Sequence, residues 1–188
     1  MTEPRLKPAS IAAHAAGAKD AAAAGVVPGI SVSTTYLRGP DYALQRPDNI
    51  YGRDENDTVR QAEEVLRQLE GAAATRLFPS GMAAVAALAR TVPRGGRIIV
   101  QSGIYYGVTH FLRQFCARRD LKLDEVGASD IDAVRHACAA PADLLWIEVP
   151  SNPWLRMVDI AAAAEAARGA GAALAVDATA ATPVLMRP

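Results

Sequence analysis

Residues 97–126 read RIIVQSGIYYGVTHFLRQFCARRDLKLDEV, and this stretch decides the fold. The apolar run Arg97–Val100 stops at a Ser-Gly pair. Apolar positions then recur at helical spacing over Tyr106–Ala117, and Leu121–Val126 returns to a strand-like run. The same alternation continues downstream. Asp130–Ala139 reads as a helix, Leu144–Val149 as a strand, Ile160–Arg168 as a helix capped by Asp159 and ended by Gly169, and Ala172–Val176 as a strand. Ser129 and Asp132 suggest a capping box for the first of these helices. Repeated strand–helix alternation implies an α/β fold, a mostly parallel sheet with helices on both faces.

Upstream, Thr75–Phe78 is a short strand candidate followed by a helix over Gly81–Arg90. Val59, Ala62, Val65, Leu66 and Leu69 sit at helical spacing, with Thr58 and Gln61 as a capping box and Gly71 as the stop. The Ala-rich stretch up to about Ala24 suggests a short helix. Between Val26 and Asn56 periodicity fails and Pro28, Gly29, Gly39, Pro40, Pro47 and Gly52 punctuate the chain. The expected organisation is an extended arm over 1–57 and an α/β domain over 58–188. So long a segment without regular structure is usually functional or reaches a neighbour.

Composition narrows the function. The 188 residues carry 20 Lys+Arg against 20 Asp+Glu, which argues against nucleic-acid binding. No apolar run approaches the ~18 residues of a membrane span, and Met1–Ser10 lacks a signal-peptide core. Cys116 and Cys138 form neither a disulfide framework nor a metal cluster. A cytoplasmic location is expected. Cys116, Cys138, His110 and His136 fall in helix patterns and are expected to pack or face solvent. Arg113, Arg118 and Arg119 read as a solvated helix end.

In open α/β sheets ligands bind beyond the carboxyl ends of the strands. Four such ends carry chemistry. Pro79-Ser80-Gly81-Met82 opens a helix whose free N–H groups suit a phosphate, or is an ordinary capped start. Tyr105 and Tyr106 follow a strand and offer a ring face, or only pack. Asn152 stands between Pro150 and Pro153, its amide available to a ligand or used in an Asx turn. Asp177 ends the last strand as a partner for a cation, or as a cap. Glu148 inside an apolar strand is uncommon for an unpaired carboxylate. Together the set suits a phosphorylated aromatic cofactor with a basic ring nitrogen, for which pyridoxal 5′-phosphate (PLP) is the obvious candidate. A dinucleotide fingerprint is not met, because Gly169-Ala170-Gly171 follows a helix and precedes a strand.

In order along the chain stand Tyr51-Gly52-Arg53, Asn56 and Thr58, Leu69-Glu70-Gly71, Ser80-Gly81-Met82-Ala83, Tyr106-Gly107 with Thr109, Glu148 through Pro153, Asp159-Ile160, Val176-Asp177-Ala178-Thr179 and Ala181 through Leu185. From about Val26 to Pro188 this resembles the cysteine/methionine-metabolism family of PLP enzymes: cystathionine γ-synthase, cystathionine β- and γ-lyases, methionine γ-lyase and O-acylhomoserine sulfhydrylases. The resemblance implies the large domain of fold-type I PLP-dependent transferases, a small sulfur-containing or O-acylated amino-acid substrate, and a homo-oligomer, dimer or tetramer. Gly81 and Met82, after the cap Ser80, would give N–H groups to the phosphate. Tyr106 would stack on the pyridine ring and assist proton transfer. Asp177, with Thr179 beside it, would pair with the ring nitrogen, and Asn152 would lie near the ring oxygen and the substrate carboxylate. Tyr51 and Arg53 would reach the cofactor phosphate of a neighbouring subunit.

The chain departs from the family pattern at Asn56-Asp57-Thr58 (usually Asn-Pro-Thr), Gly95-Gly96 (usually Gly-Asp) and Ala178 (usually Asn). The family's aldehyde-binding lysine belongs to a motif beyond Thr-Pro-Val-Leu, and Lys7, Lys19 and Lys122 do not match it. The residues are thus expected to correspond to the N-terminal part of such an enzyme. The alternative reading is a non-catalytic remnant or an interaction partner of a complete paralogue.

Overall fold

The computed structural model describes residues 6–188. It divides into two compact units, one ending at Leu77 and the other spanning Phe78–Pro188.

The first unit holds α1 (Pro8–Ala13), a 3-10 turn (Ala15–Gly17) and α2 (Asp57–Glu70). The Ala-rich start is therefore helical only to Ala13, and isolated pairing of Asp20 with Gly25 follows. The N-cap of α2 is Asn56 rather than Thr58. Asn56 Oδ1 accepts the N–H of Thr58 (2.9 Å) and Val59 (3.4 Å), because Asn is the stronger cap and stands two residues earlier. Thr58 Oγ1 instead accepts the N–H of Ser31 at 2.8 Å. Asp57, where the family has proline, favours the helix N-terminus and binds Arg46 through two hydrogen bonds (2.8 and 3.1 Å) and Arg60 through a third. Burial pushes the Asp57 carboxyl up, but the bonds from Arg60, Arg46 and Asn49 outweigh it and hold the group below its ordinary range. Gly71 ends α2 in the left-handed region (φ 66°), its N–H turned back to the last turn. Residues 26–56 contain no helix or strand, only the isolated pairings Thr35–Tyr51 and Arg38–Leu44. The expected strand Thr75–Phe78 does not form: among the described residues no strand pairs with it, and Glu63 Oε1 takes the Leu77 N–H at 2.9 Å.

The second unit is built on a four-stranded, all-parallel sheet in the order β2-β1-β3-β4. Its elements are α3 (Gly81–Ala89), β1 (Arg97–Gln101), α4 (Tyr106–Arg119), β2 (Lys122–Val126), α5 (Ile131–Ala137), β3 (Leu144–Glu148), α6 (Ile160–Gly169), β4 (Ala173–Asp177) and α7 (Thr182–Leu185). Asp130, not Ser129, caps α5, its carboxylate accepting the N–H of Asp132 and Ala133. Side chains alternate across the sheet as the pleat requires. Ile98, Val100, Leu144 and Trp146 pack with Val85 of α3 and Val108 and Leu112 of α4. Ile99, Leu145 and Ile147 pack on the other face with Val134 of α5 and Ala163 and Ala167 of α6. Each fully buried aliphatic side chain contributes about 1.5–3 kcal/mol. At Gly95-Gly96 the turn's carboxylate comes from Asp143. Its Oδ2 accepts the Arg97 N–H at 2.7 Å and lies 2.6 Å from where a Gly96 Cβ would stand.

Two outcomes follow. Leu145→Ala, at a side chain with no exposure, is expected to lower unfolding free energy by about 2–5 kcal/mol in a urea titration. In α2, the Arg67 and Gln68 hydrogen bonds hold the half-exposed Glu64 carboxyl down to about 2. Its contribution to stability is present above the ordinary glutamate pKa and is lost as pH falls through about 2. A carbon-detected NMR titration should show that midpoint, and Arg67→Ala should return it towards 4.5.

Candidate functional site

The chain winds from β1 through α4 to β2 on one side, then crosses back through α5 to β3 and on to β4 on the other. β1 and β3 are therefore the strands between which the winding reverses, and such a switch point opens a crevice at their carboxyl ends. A cavity of about 370 Å³ lies there. Among its lining residues are Gly81, Met82, Tyr105, Glu148, Asn152, Asp177 and Thr179. Gly81, Met82, Asn152, Asp177 and Thr179, to which the resemblance assigns cofactor contacts, thus meet on one cavity with Tyr105 and Glu148.

Ser80 caps α3, its Oγ accepting the Ala83 N–H at 3.1 Å while its carbonyl takes Ala83 and Ala84. Among the described residues the N–H groups of Gly81 and Met82 have no protein acceptor. A Cβ placed on Gly81 would meet nothing within 4 Å, so the space above this helix end is open. A dipole end with two free donors is a ready anion site.

Asp177 ends β4 opposite Glu148 in the strand register. Its Oδ1 accepts the Thr179 N–H (3.1 Å) and hydroxyl (2.6 Å), an Asx-like arrangement that orients the carboxylate. Among the described residues Oδ2 has no protein donor. The Asn152 side-chain amide is likewise without a protein partner among the described residues, and the peptide bonds Val149-Pro150 and Asn152-Pro153 on either side are cis.

Of the tyrosine pair, Tyr105 lines the cavity, whereas Tyr106 opens α4 beside it with 75% of its surface exposed. The two rings stand 5.0 Å apart, tilted by 59°. Gly107 is required by this packing, because a Cβ there would come within 2.5 Å of the Tyr105 ring. Tyr51 and Arg53 belong to the first unit. There the Arg53 guanidinium lies 5.1 Å from the Tyr51 ring centre and donates to its hydroxyl at 3.2 Å.

Two residues at the cavity carry more than their sequence reading gave them, Tyr105 and Glu148. Glu148 is 4% exposed and accepts the N–H of Tyr105 at 2.9 Å and that of Asn152. Burial pushes its carboxyl up, the two N–H groups pull it back, and Asp177's charge adds to the rise, leaving it above the ordinary range. The signal for it was present, a carboxylate in an apolar strand. Leu155 and Ala180 also line the cavity, with no sequence signal to mark them.

Cys116 and Cys138 are buried, and burial raises both thiols, so neither is a reactive thiolate. His110 and His136 are exposed on their helices. Arg113 pairs with Glu125 at 2.6 Å, and Arg119 lies over the Phe115 ring. Among the described residues no group of three side chains suits a metal, and no helix is long and apolar enough to cross a membrane. No lysine lines the cavity. Lys122 begins β2, at the amino ends of the strands.

The donor set fits a phosphorylated pyridine. It offers open N–H groups at a helix end, a carboxylate oxygen without a partner, an aromatic ring and an uncommitted amide. Comparison with known proteins agrees. The family described as Cys/Met metabolism PLP-dependent enzyme matches residues 9–188. A cystathionine gamma-lyase of Dictyostelium discoideum is 31% identical over 100% of this chain and 49% of its own. An O-succinylhomoserine sulfhydrylase of Pseudomonas aeruginosa is 36% identical over 78% of this chain and 37% of its own. Among solved structures, a cystathionine gamma-lyase from Micromonospora echinospora superposes with a TM-score of 0.89 at 35% identity, covering 97% of this chain and 48% of that one. A cystathionine gamma synthase from Xanthomonas oryzae, in complex with cystathionine, gives 0.90 at 29% identity over 98% and 48%. The chain spans half or less of the length of these relatives. With its cavity at the sheet's switch point and this likeness over nearly all its length, the chain belongs to the Cys/Met metabolism PLP-dependent enzymes, whose cofactor is pyridoxal 5′-phosphate.

Proposed function

We propose that this chain supplies the cofactor cradle of a PLP-dependent trans-sulfuration enzyme acting on a small sulfur-containing or O-acylated amino acid, by carbon–sulfur lysis or γ-replacement. The observation that carries the reading is the convergence on one cavity of the open N–H groups of Gly81 and Met82 with the unpartnered Oδ2 of Asp177. A phosphate and a protonated ring nitrogen are the two ends of one cofactor, and these groups match them in charge and type.

In this reading Gly81 and Met82 donate to the phosphate, and Ser80 keeps the first turn of α3 in place. Asp177, oriented by Thr179, holds the proton on the ring nitrogen. Tyr106, with Tyr105 at the cavity wall, supplies the aromatic face and a hydroxyl that moves protons at the substrate's Cα. Asn152 orients the ring oxygen and the substrate carboxylate. When bound, PLP supplies an electron sink that stabilises negative charge at Cα. Tyr51 and Arg53, on the arm of residues 1–57, are assigned to the phosphate of a second copy of the chain in a cytoplasmic homo-oligomer.

The described cavity lining contains no lysine, and in this reading the residues named above hold the cofactor without a covalent bond. That observation also favours a second reading, a non-catalytic remnant or an interaction partner of a complete paralogue. Borohydride treatment with PLP followed by intact-mass measurement tests whether a covalent anchor lies within the chain. A stoichiometric mass gain on one residue supports an anchor within the chain, and its absence supports the non-covalent cradle.

The cradle itself is tested by titrating the chain with PLP and following cofactor absorbance and calorimetry. Saturable one-to-one binding is expected, weakened at least tenfold in Asp177→Ala with the circular dichroism of the fold retained. Affinity for NAD or ATP without affinity for PLP would overturn the reading.

A further inference from the structure

Glu148 closes β3 with its carboxylate on the cavity and 4% of its surface exposed. A buried carboxylate is costly unless donors meet it. Here both donors are backbone N–H groups, and they come from two different strand ends. Tyr105, 43 residues earlier, is the N-cap of α4 and gives its N–H at 2.9 Å. Asn152, in the loop after β3, gives the other. Tyr105 has no side-chain capping bond of its own, so the carboxylate from β3 places its charge at the start of α4. The Glu148 N–H adds a second link, donating at 2.9 Å to Oε1 of Gln101, the buried last residue of β1.

We propose that Glu148 is a positioning residue: one carboxylate ties the turn after β1 to the loop after β3, and so sets where the Tyr105 ring and Asn152 stand on the cavity. The side-chain chemistry is specific. Only an ionised carboxylate offers two acceptor oxygens and no donor. Glutamine would turn an NH2 group towards one of the two N–H groups, and aspartate would fall short by one methylene. An apolar residue would leave two buried N–H groups unpaired at the crevice. The inference rests on the PLP reading of the cavity, but the tie itself can be measured without the cofactor.

The experiment compares the chain with Glu148→Gln and Glu148→Asp by amide NMR, thermal unfolding and PLP titration. In the unaltered chain the Tyr105 and Asn152 amide protons should be shifted downfield and protected from exchange. In E148Q at least one of these signals should move upfield while the α5 amides stay in place. PLP affinity should fall about tenfold and the visible dichroism of bound cofactor should drop. E148D should show the same pattern, about threefold in affinity. Leu145→Ala, a core change away from the cavity lining, should lower the melting temperature without changing affinity or dichroism. If E148Q does not fold, E148D decides. Unaltered amide shifts, or unaltered affinity and dichroism, in whichever variant folds overturn the proposal. If the unaltered chain does not bind PLP, the cofactor reading falls, and the amide signals alone decide the tie.

Discussion

The pairing of β1 with β3 is the constraint on which the rest depends. The two strands run parallel through Ile98–Leu144, Ile99–Leu145 and Val100–Trp146, and all six side chains are buried. Because the connections to β2 and β4 leave on opposite sides, no helix closes the crevice beyond these two carboxyl ends. Residues of α3, the start of α4, β3 and β4 all reach that opening. A slip of one residue in the register would send Glu148 and Asp177 to the opposite face.

The crevice is polar in a selective way. Its walls are largely apolar, with Met82, Val85, Val108 and Leu155, and its charged groups are two neighbouring carboxylates with different surroundings. Glu148 is saturated by two backbone N–H groups, whereas one oxygen of Asp177 is left open. The first is thereby suited to holding structure and the second to meeting a cation. The same division separates Ser80, whose hydroxyl is spent on the helix cap, from Gly81 and Met82, whose N–H groups remain available.

Much of this was legible from residues alone. The alternation from Arg97 to Val176 revealed the parallel sheet, because short buried runs bounded by caps and glycines have few other solutions. Ser80, Asp159 and Gly71 are caps in sequence pattern and in structure alike, since their geometry is local. The misreadings have local causes too. Thr58 matched a capping box, yet Asn56 holds the helix end. Ser129 matched another, yet Asp130 does. Thr75–Phe78 has the composition of a strand but pairs with no strand among the described residues, and a pairing partner is not a property of the segment. The role of Glu148 depends on two N–H groups, one of them 43 residues distant, so sequence could show only that an acid stood where acids are rare. The presence of Tyr105 at the cavity wall depends on how α4 begins.

The central claim is that one cofactor spans from the N-terminus of α3 to the end of β4. A crystal structure of the chain grown with pyridoxal 5′-phosphate tests it most directly. The phosphate should be found on the N–H groups of Gly81 and Met82, with the ring nitrogen beside Asp177 Oδ2. Cofactor bound elsewhere, or turned with its phosphate away from α3, would contradict it.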